Sequence, residues 1–358
     1  MTAQEEIAAA KLQALRLEAE HAAALVARWR DAWDLLAPEY EDLLTDLLAG
    51  SADDTGWVSP RLMRTSRLEK ALEHTRELLR GVTGEDIASA AEYALPMARA
   101  MVDGAGNAIA AQLPAGHAGI IVRWDHLDTG ALDAIFERTT QQITVRSWPL
   151  ADDITQVMKR ELTRGVVVGD NPRTTAQRMT KQTGQRVNWG RNRALNIART
   201  EMLDAARAAQ HAQDAANSDV LRGWQWLASL DRRECIACLV MHGTFHPLTE
   251  PGPEGHPSCR CARVPVTKSW AELGIPGMDE DPLPVDPAAG KAHFDSLTPD
   301  SQAAIMGSAS RLQGYKTGAL QWEELAVRKK SKGWRDSYVP RPMPRSTRKT
   351  RNMEASRV

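Results

Sequence analysis

Residues 231–265 read DRRECIACLVMHGTFHPLTEPGPEGHPSCRCARVP. All four cysteines of the 358-residue chain fall inside this stretch, as Cys235, Cys238, Cys259 and Cys261. So do three of the nine histidines, His242, His246 and His256. Cys235-Ile-Ala-Cys238 sets two thiols on one tight turn, and Cys259-Arg-Cys261 offers two more, with His256 three residues before them. Zinc takes four soft or borderline ligands in a tetrahedron, either four thiolates or three thiolates and an imidazole, and this segment supplies five candidates: Cys235, Cys238, His256, Cys259 and Cys261. The Gly/Pro-rich stretch between the two pairs cannot build a core, so an ion joining its ends would contribute the missing order. The expectation is a structural zinc site, with the choice of four among the five left open.

Two other readings compete. A redox CxxC lacks the βαβ context such motifs need and leaves Cys259 and Cys261 unused. Reduced thiols packed as small apolar groups would need no ion at all. A catalytic zinc needs an open coordination position, and no H-E-x-x-H is present. Asp231 and Glu234 beside the site read as solvated charges.

Outward from this segment the periodicity changes. VLRGWQWLAS, 220–229, alternates with Val220, Trp224 and Trp226 two or four apart and reads as a strand; GTFHPL, 243–248, reads as its antiparallel partner, with the CxxC turn between them. Between Pro247 and Pro287 the dense prolines predict an ordered loop without a strand ladder. N-terminal to it the pattern is helical. Residues 2–50 begin with a Thr2/Glu5 capping box, carry Leu25, Val26, Trp29, Trp33 and Leu36 at helical spacing, and break at Pro38. A second block, Pro60 to Leu79, stops at Gly81, and an Ala-rich third is interrupted by Pro96 and Gly104. GIIVRW reads as a short strand and ALDAIFERTTQQITV as a helix. From Ala151 the pattern turns helical again. A short helix starts with Asn171 as N-cap and Pro172 at its first position. A further helix follows, its stripe Leu195, Ala198, Met202, Ala205, Ala209, with its exit at Asn217 and Ser218. Residues 295–330 suggest two short helices, and the tail past Val339 is extended or disordered.

The fold class expected is mainly α with a small β-hairpin zinc-binding module (α+β) and an elongated helical N-terminal arm. Its parts are a helical arm or platform at 1–115, a helical part at 116–219 and a hairpin with zinc-binding loop at 220–290. Short C-terminal helices at 291–338 and a basic Pro/Arg-rich tail at 339–358 complete it.

Net charge is −1, unevenly spread. Residues 1–100 hold eleven Lys/Arg against eighteen Asp/Glu, a balance of −7, whereas residues 311–358 hold thirteen against four, a balance of +9. The stretch 155–210 carries eleven against four, or +7. Such basic segments either solvate helix faces or neutralise phosphates in a salt-dependent, sequence-independent way. The opening residues lack the apolar core of a signal peptide, and about 18 consecutive apolar residues occur nowhere, so neither a leader nor a transmembrane helix is expected.

Taken in order, Ala198-Arg199-Thr200-Glu201, Trp224 and Trp226, Asp231-Arg232-Arg233, Cys238, His242-Gly243 and His256-Pro257-x-Cys259-Arg260-Cys261 resemble the phage Mu protein F-like head morphogenesis domain of tailed-bacteriophage minor capsid proteins. Leu297-Thr-Pro-Asp-x-Gln302, Ile305-Met-Gly307 and Tyr315-x-x-Gly318 are similar to the segment that often follows it, so the resemblance spans roughly residues 150–320. It implies a low-copy virion protein inside the head at the portal vertex, built in the host cytoplasm. Its partners would be the portal protein, the major capsid or scaffolding protein and packaged double-stranded DNA, and its task procapsid assembly, DNA packaging or ejection. Many relatives carry histidine where Cys238 stands and lack the first cysteine; the full set here favours a metal-bound version. No catalytic residue is expected. The alternatives are a zinc-dependent nucleic-acid-binding protein, or a nuclease or ADP-ribosyl transferase using Glu201 with Arg199.

Overall fold

The computed structural model describes residues 1–49, 66–114, 172–275, 283–330 and 336–343, with the helical residues 156–157, 160–161 and 164. They are mainly helical, with small antiparallel sheets. The chain divides into two compact units. One comprises Ala8–Gly106 and Arg123–Ala216, the other Met1–Ile7, Asn107–Val122 and Asn217–Val358.

The first unit is built from three long helices, α1 (Ala3–Ala49), α2 (Ser66–Ala110) and α3 (Pro172–Ala216). The Thr2/Glu5 box opens α1: the Glu5 N–H donates to Thr2 Oγ1 at 3.2 Å and the Thr2 N–H to Glu5 Oε2 at 2.9 Å. Leu25, Trp29, Ala32 and Leu36 of α1 are buried, as are Ala94, Met97, Ala98, Met101 and Val102 of α2 and Met202, Ala205, Ala206 and Ala209 of α3. Alanines at these i, i+3, i+4 positions let helix backbones approach, and Ala98, Val102 and Ala209 pack together with Leu95. Polar pins fix the pairing. Asp86 of α2 accepts from Arg28 Nε at 2.9 Å and Nη2 at 2.7 Å, and from the Trp29 indole N–H at 2.7 Å. Glu18 of α1 pairs with Arg199 of α3.

The helices run through the breaks that the sequence suggests. Pro38 lies inside α1; both it and Asp34, whose carbonyl loses its i+4 donor, are exposed, so the lost hydrogen bond does not fall in the core. Gly81, Gly84, Pro96 and Gly104 lie inside α2. A helical glycine costs only about 1 kcal/mol, less than the burial of one large side chain in the α2 core. Gly184 lies inside α3, where a Cβ would come within 2.8 Å of the Trp33 ring, so the glycine serves helix contact and not helix termination. The residues expected as a strand and helix within 116–150, and the Asn171 cap, lie outside the described residues.

In the second unit β1 (Leu221–Leu227) is the centre of a sheet of order β2-β1-β3, with β2 at Phe245–Pro247 and β3 at Ala262–Thr267, both antiparallel to β1. The register pairs Trp224 with His246 on one side and Pro265 on the other. The hairpin expectation therefore holds for β1 and β2, and β3 corrects the loop expected after Pro247. Pro265 is accommodated because β3 is an edge strand. The outer edge of β3 is closed by a side chain: Gln112 Nε2 donates to Pro265 O at 2.8 Å and Gln112 Oε1 accepts from the Thr267 N–H at 3.3 Å, as a neighbouring strand would.

The short helix α4 (Ile236–Met241) connects β1 to β2. Its Ile236 and Leu239 pack on Phe294 of α5 (Ala289–Ser296), Ile305 and Met306 of α6 (Pro299–Met306), and Leu325. Helix α7 (Ala309–Lys316) follows. Helices α6 and α7 are the two short helices expected within residues 295–330, with α5 preceding them, and AVRK forms β4 (Ala326–Lys329) against β5 (Ser337–Pro340), a hairpin that short polar strands do not announce. The tail past residue 343 lies outside the described residues.

Candidate metal centre

The chain brings the two cysteine pairs together by folding β1, α4 and the segment before β3 around one buried point. Cys235 caps α4 from an extended backbone, its sulfur accepting from the Cys238 N–H at 3.4 Å, so the expected CxxC turn is the first turn of a helix. Cys238 Sγ then lies 3.5 Å from Cys235 Sγ, 3.5 Å from His256 Nε2 and 3.7 Å from Cys259 Sγ. Among the described residues, the ligand atoms of Cys235, Cys238 and His256 lie within 4.8 Å of one another, as do those of Cys238, Cys259 and Cys261. All five sequence candidates therefore meet at Cys238.

The spacing fits a tetrahedral ion. Zn–S bonds of about 2.3 Å set S···S edges of roughly 3.8 Å, and a Zn–N bond of about 2.0 Å sets an S···N edge of roughly 3.5 Å. The three edges leaving Cys238 are close to these values. The loop is shaped for the approach, because a Cβ at Gly255 would sit 2.3 Å from Cys259 Sγ.

Electrostatics point the same way. Hydrogen bonding with Cys238 brings the Cys235 thiol down to about 5 against the effect of burial, and His256 adds to the lowering. The Cys238 thiol is pushed well above its ordinary value, first by its bond to Cys235 and then by those to Cys259 and Cys261. Burial raises Cys261 likewise. Burial opposes the charged form of His256, but the hydrogen bond and charge of Cys235 and the charge of Cys259 outweigh it and lift the imidazole to about 9. Sulfur groups this crowded cannot all ionise on their own; a dication would reverse that by drawing out each proton.

A charged brace surrounds the cluster. Arg260, between the last two cysteines, donates from Nη1 and Nη2 to the two oxygens of Asp231 at 2.7 and 2.8 Å, and from Nη2 to Glu234 Oε1 at 3.2 Å. Cys261 Sγ donates toward Glu234 Oε2 at 3.9 Å. The Arg260 bond holds the Asp231 carboxyl well below the usual range. Asp231 and Glu234 are thus structural partners and not solvated charges, a correction to the reading from sequence. The available signal was Arg260 itself, the cation placed between two buried cysteines.

The remaining motif residues serve the frame. Trp224 is held between His246, stacked at 4.3 Å, and the guanidinium of Arg263 at 4.6 Å, while its indole N–H donates to Glu250 O at 3.1 Å. His242 Nδ1 accepts from the Ala228 N–H at 3.2 Å. Gly243 has φ +76°, and a Cβ there would meet Pro287 Cα at 2.4 Å. Trp226 packs edge-on against Tyr338 of β5 at 5.7 Å, and the Tyr338 N–H donates to Glu254 O at 2.8 Å, so the C-terminal hairpin covers the loop that carries His256. Arg199 and Glu201 belong to the other unit. Arg199 pairs with Glu18 of α1, and Glu201 is buried.

No curated protein and no solved structure matches the chain. Residues 156–264 match the family model described as Phage Mu protein F like protein, the family that the succession of motifs from Ala198 to Cys261 resembles.

Proposed function

We propose that the chain is a minor head-morphogenesis protein of a tailed bacteriophage, working inside the head at the portal vertex, with a structural zinc ion in the Cys/His cluster. The observation that carries the reading is a coincidence: the family match at 156–264 ends just past Cys261, and that stretch contains every one of the five donors meeting at Cys238. An ion there would join the two halves of a loop-rich module and give it rigidity. Zinc suits the mixture of thiols and imidazole.

A structural role is favoured over catalysis. Glu201, the acid an enzyme would use, is 6% exposed on α3, and Arg199 is engaged by Glu18. Among the described residues no helix is long and apolar enough to cross a membrane. The basic stretch 155–210 supports contact with packaged DNA through phosphates alone. The acidic N-terminal hundred residues suit a protein partner such as the portal ring or a scaffolding or major capsid protein.

Mass spectrometry of purified procapsids, mature heads and isolated portal complexes tests this. The chain is expected in all three at low copy and enriched with the portal. Its absence from every particle would overturn the proposal.

A further inference from the structure

Cys238, Cys259 and Cys261 are each only 2% exposed, yet one of the elements packed over them is weakly held. We propose that the β4–β5 hairpin is a displaceable cover over the cysteine cluster, and that its opening sets the rate at which metal enters or leaves. The bearing on metal exchange rests on the reading of the cluster as a zinc site; the bearing on access to the thiols does not.

Placement is the first observation. Trp226, Cys238, Cys259 and Cys261 share one buried cluster, and Ala326 of β4 and Tyr338 of β5 pack against it. Both strands of the hairpin also lie against α4, the helix that carries Cys238. The second observation is how the hairpin is tied down. On one side it holds the loop that leads to His256: the Tyr338 N–H donates to Glu254 O at 2.8 Å, and Arg328 Nη2 lies 2.8 Å from Glu254 Oε2. On the other side Arg311 of α7 donates from Nε and Nη2 to Arg341 O, just past β5, at 3.0 and 2.6 Å. The hairpin thus spans from the His256 loop to α7.

The third observation is the weakness of that attachment. Of the residues in β4 and β5 only Ser337 is buried, whereas every residue of β3 and all of β1 except Arg222 are. A two-stranded hairpin is marginal on its own. The Arg328 side chain is 46% exposed, so its ion pair contributes little. Elements with few buried apolar contacts open before the core that they cover. The sheet and α4 therefore keep the cysteines assembled while β4 and β5 lift away.

The test uses full-length protein as purified. Labelling by N-ethylmaleimide, resolved for each cysteine by mass spectrometry, is compared with zinc release into excess chromophoric chelator and with amide hydrogen exchange. In the unmutated protein Cys238, Cys259 and Cys261 should lose protection at one shared rate. Zinc release and exchange in β4 and β5 should match it, and exchange in β1 and β3 should be slower. Tyr338→Ala should raise the labelling and release rates by about two- to tenfold, the worth of one aromatic pair. Arg328→Ala should raise them by no more than about fivefold. Zinc uptake should quicken as release does, leaving affinity nearly unchanged; a merely structural role would weaken affinity instead. Buried thiols that react only as fast as β1 and β3 exchange would overturn the proposal. So would zinc release that runs ahead of hairpin opening, which would place the exit at half-buried Cys235 and leave the zinc site standing. Protein that holds no zinc would remove the zinc reading, and thiol labelling would still decide whether the hairpin is the cover. The comparison within the unmutated protein needs no variant, so a misfolded substitution cannot blunt it.

Discussion

Arg260 grips Asp231 with both arms of its guanidinium, at 2.7 and 2.8 Å, tying the residue between the last two cysteines to the loop that precedes the first. This pair joins two halves of the motif that are 29 positions apart in sequence. It explains why an Asp-Arg step and a Cys-Arg-Cys close belong together: one supplies the carboxylate, the other the fork that fits it.

Replacing Arg260 should therefore act on the proposed metal centre without removing any of its candidate ligands. Arg260→Ala takes the guanidinium away from Glu234, which is buried beside Cys261. Zinc affinity, measured by competition with a chromophoric chelator, should fall by about 10- to 100-fold. Arg260→Lys should recover only part of this, because a single ammonium cannot reproduce the bidentate contact.

The first unit carries a pH signature of its own. Burial, with the charge of Arg28, lowers His21 to about 4, below the ordinary value near 6.5. The folded state thus prefers neutral His21, while the unfolded chain takes up a proton as pH falls through about 6.5. Stability should decline between about pH 6.5 and 4 and level off below that for this group. In His21→Gln that part of the decline should be reduced, read as the difference between the two proteins in urea unfolding at each pH. Equal slopes in the two proteins would contradict the assignment.

Gly243 combines a left-handed backbone with a close approach to Pro287. Gly243→Ala should destabilise the second unit by at least about 2 kcal/mol, since the strain of a non-glycine residue at positive φ adds to a clash with backbone. Thermal unfolding monitored by tryptophan fluorescence would check it, because Trp224 and Trp226 lie in the same core.

Tyr338 links the C-terminal hairpin to the loop that carries His256 through Trp226 and the Glu254 carbonyl. Tyr338→Ala should leave the backbone bond possible but remove the ring contact. Amide hydrogen exchange across residues 251–258 and 326–329 should accelerate together. Acceleration confined to the hairpin would show that the loop does not depend on it.

The gathering of Cys235, Cys238, His256, Cys259 and Cys261 was legible because thiols and an imidazole at CxxC and HxxCxC spacing can be read without knowing the fold. The exit of α3 at Asn217 and the strand character of Trp224 and Trp226 were legible for similar local reasons. The continuity of α1, α2 and α3 through Pro38, Gly81, Pro96 and Gly184 was not. Local propensity argues for a break at each, and only the burial of Leu36, Met97 or Met202 by distant partners overrides it. Strand β3 was hidden by Pro265, whose tolerance depends on occupying an edge, a property of the assembled sheet. The Asp231–Glu234–Arg260 brace escaped because exposed and engaged charges look alike in sequence.

The most direct measurement is the zinc content of protein purified without chelator, followed by unfolding with and without the ion. About one zinc per chain is expected, and its removal should abolish cooperative unfolding of the second unit while the helices of the first persist. Protein that carries no zinc, or that unfolds identically after the ion is stripped, would contradict the account.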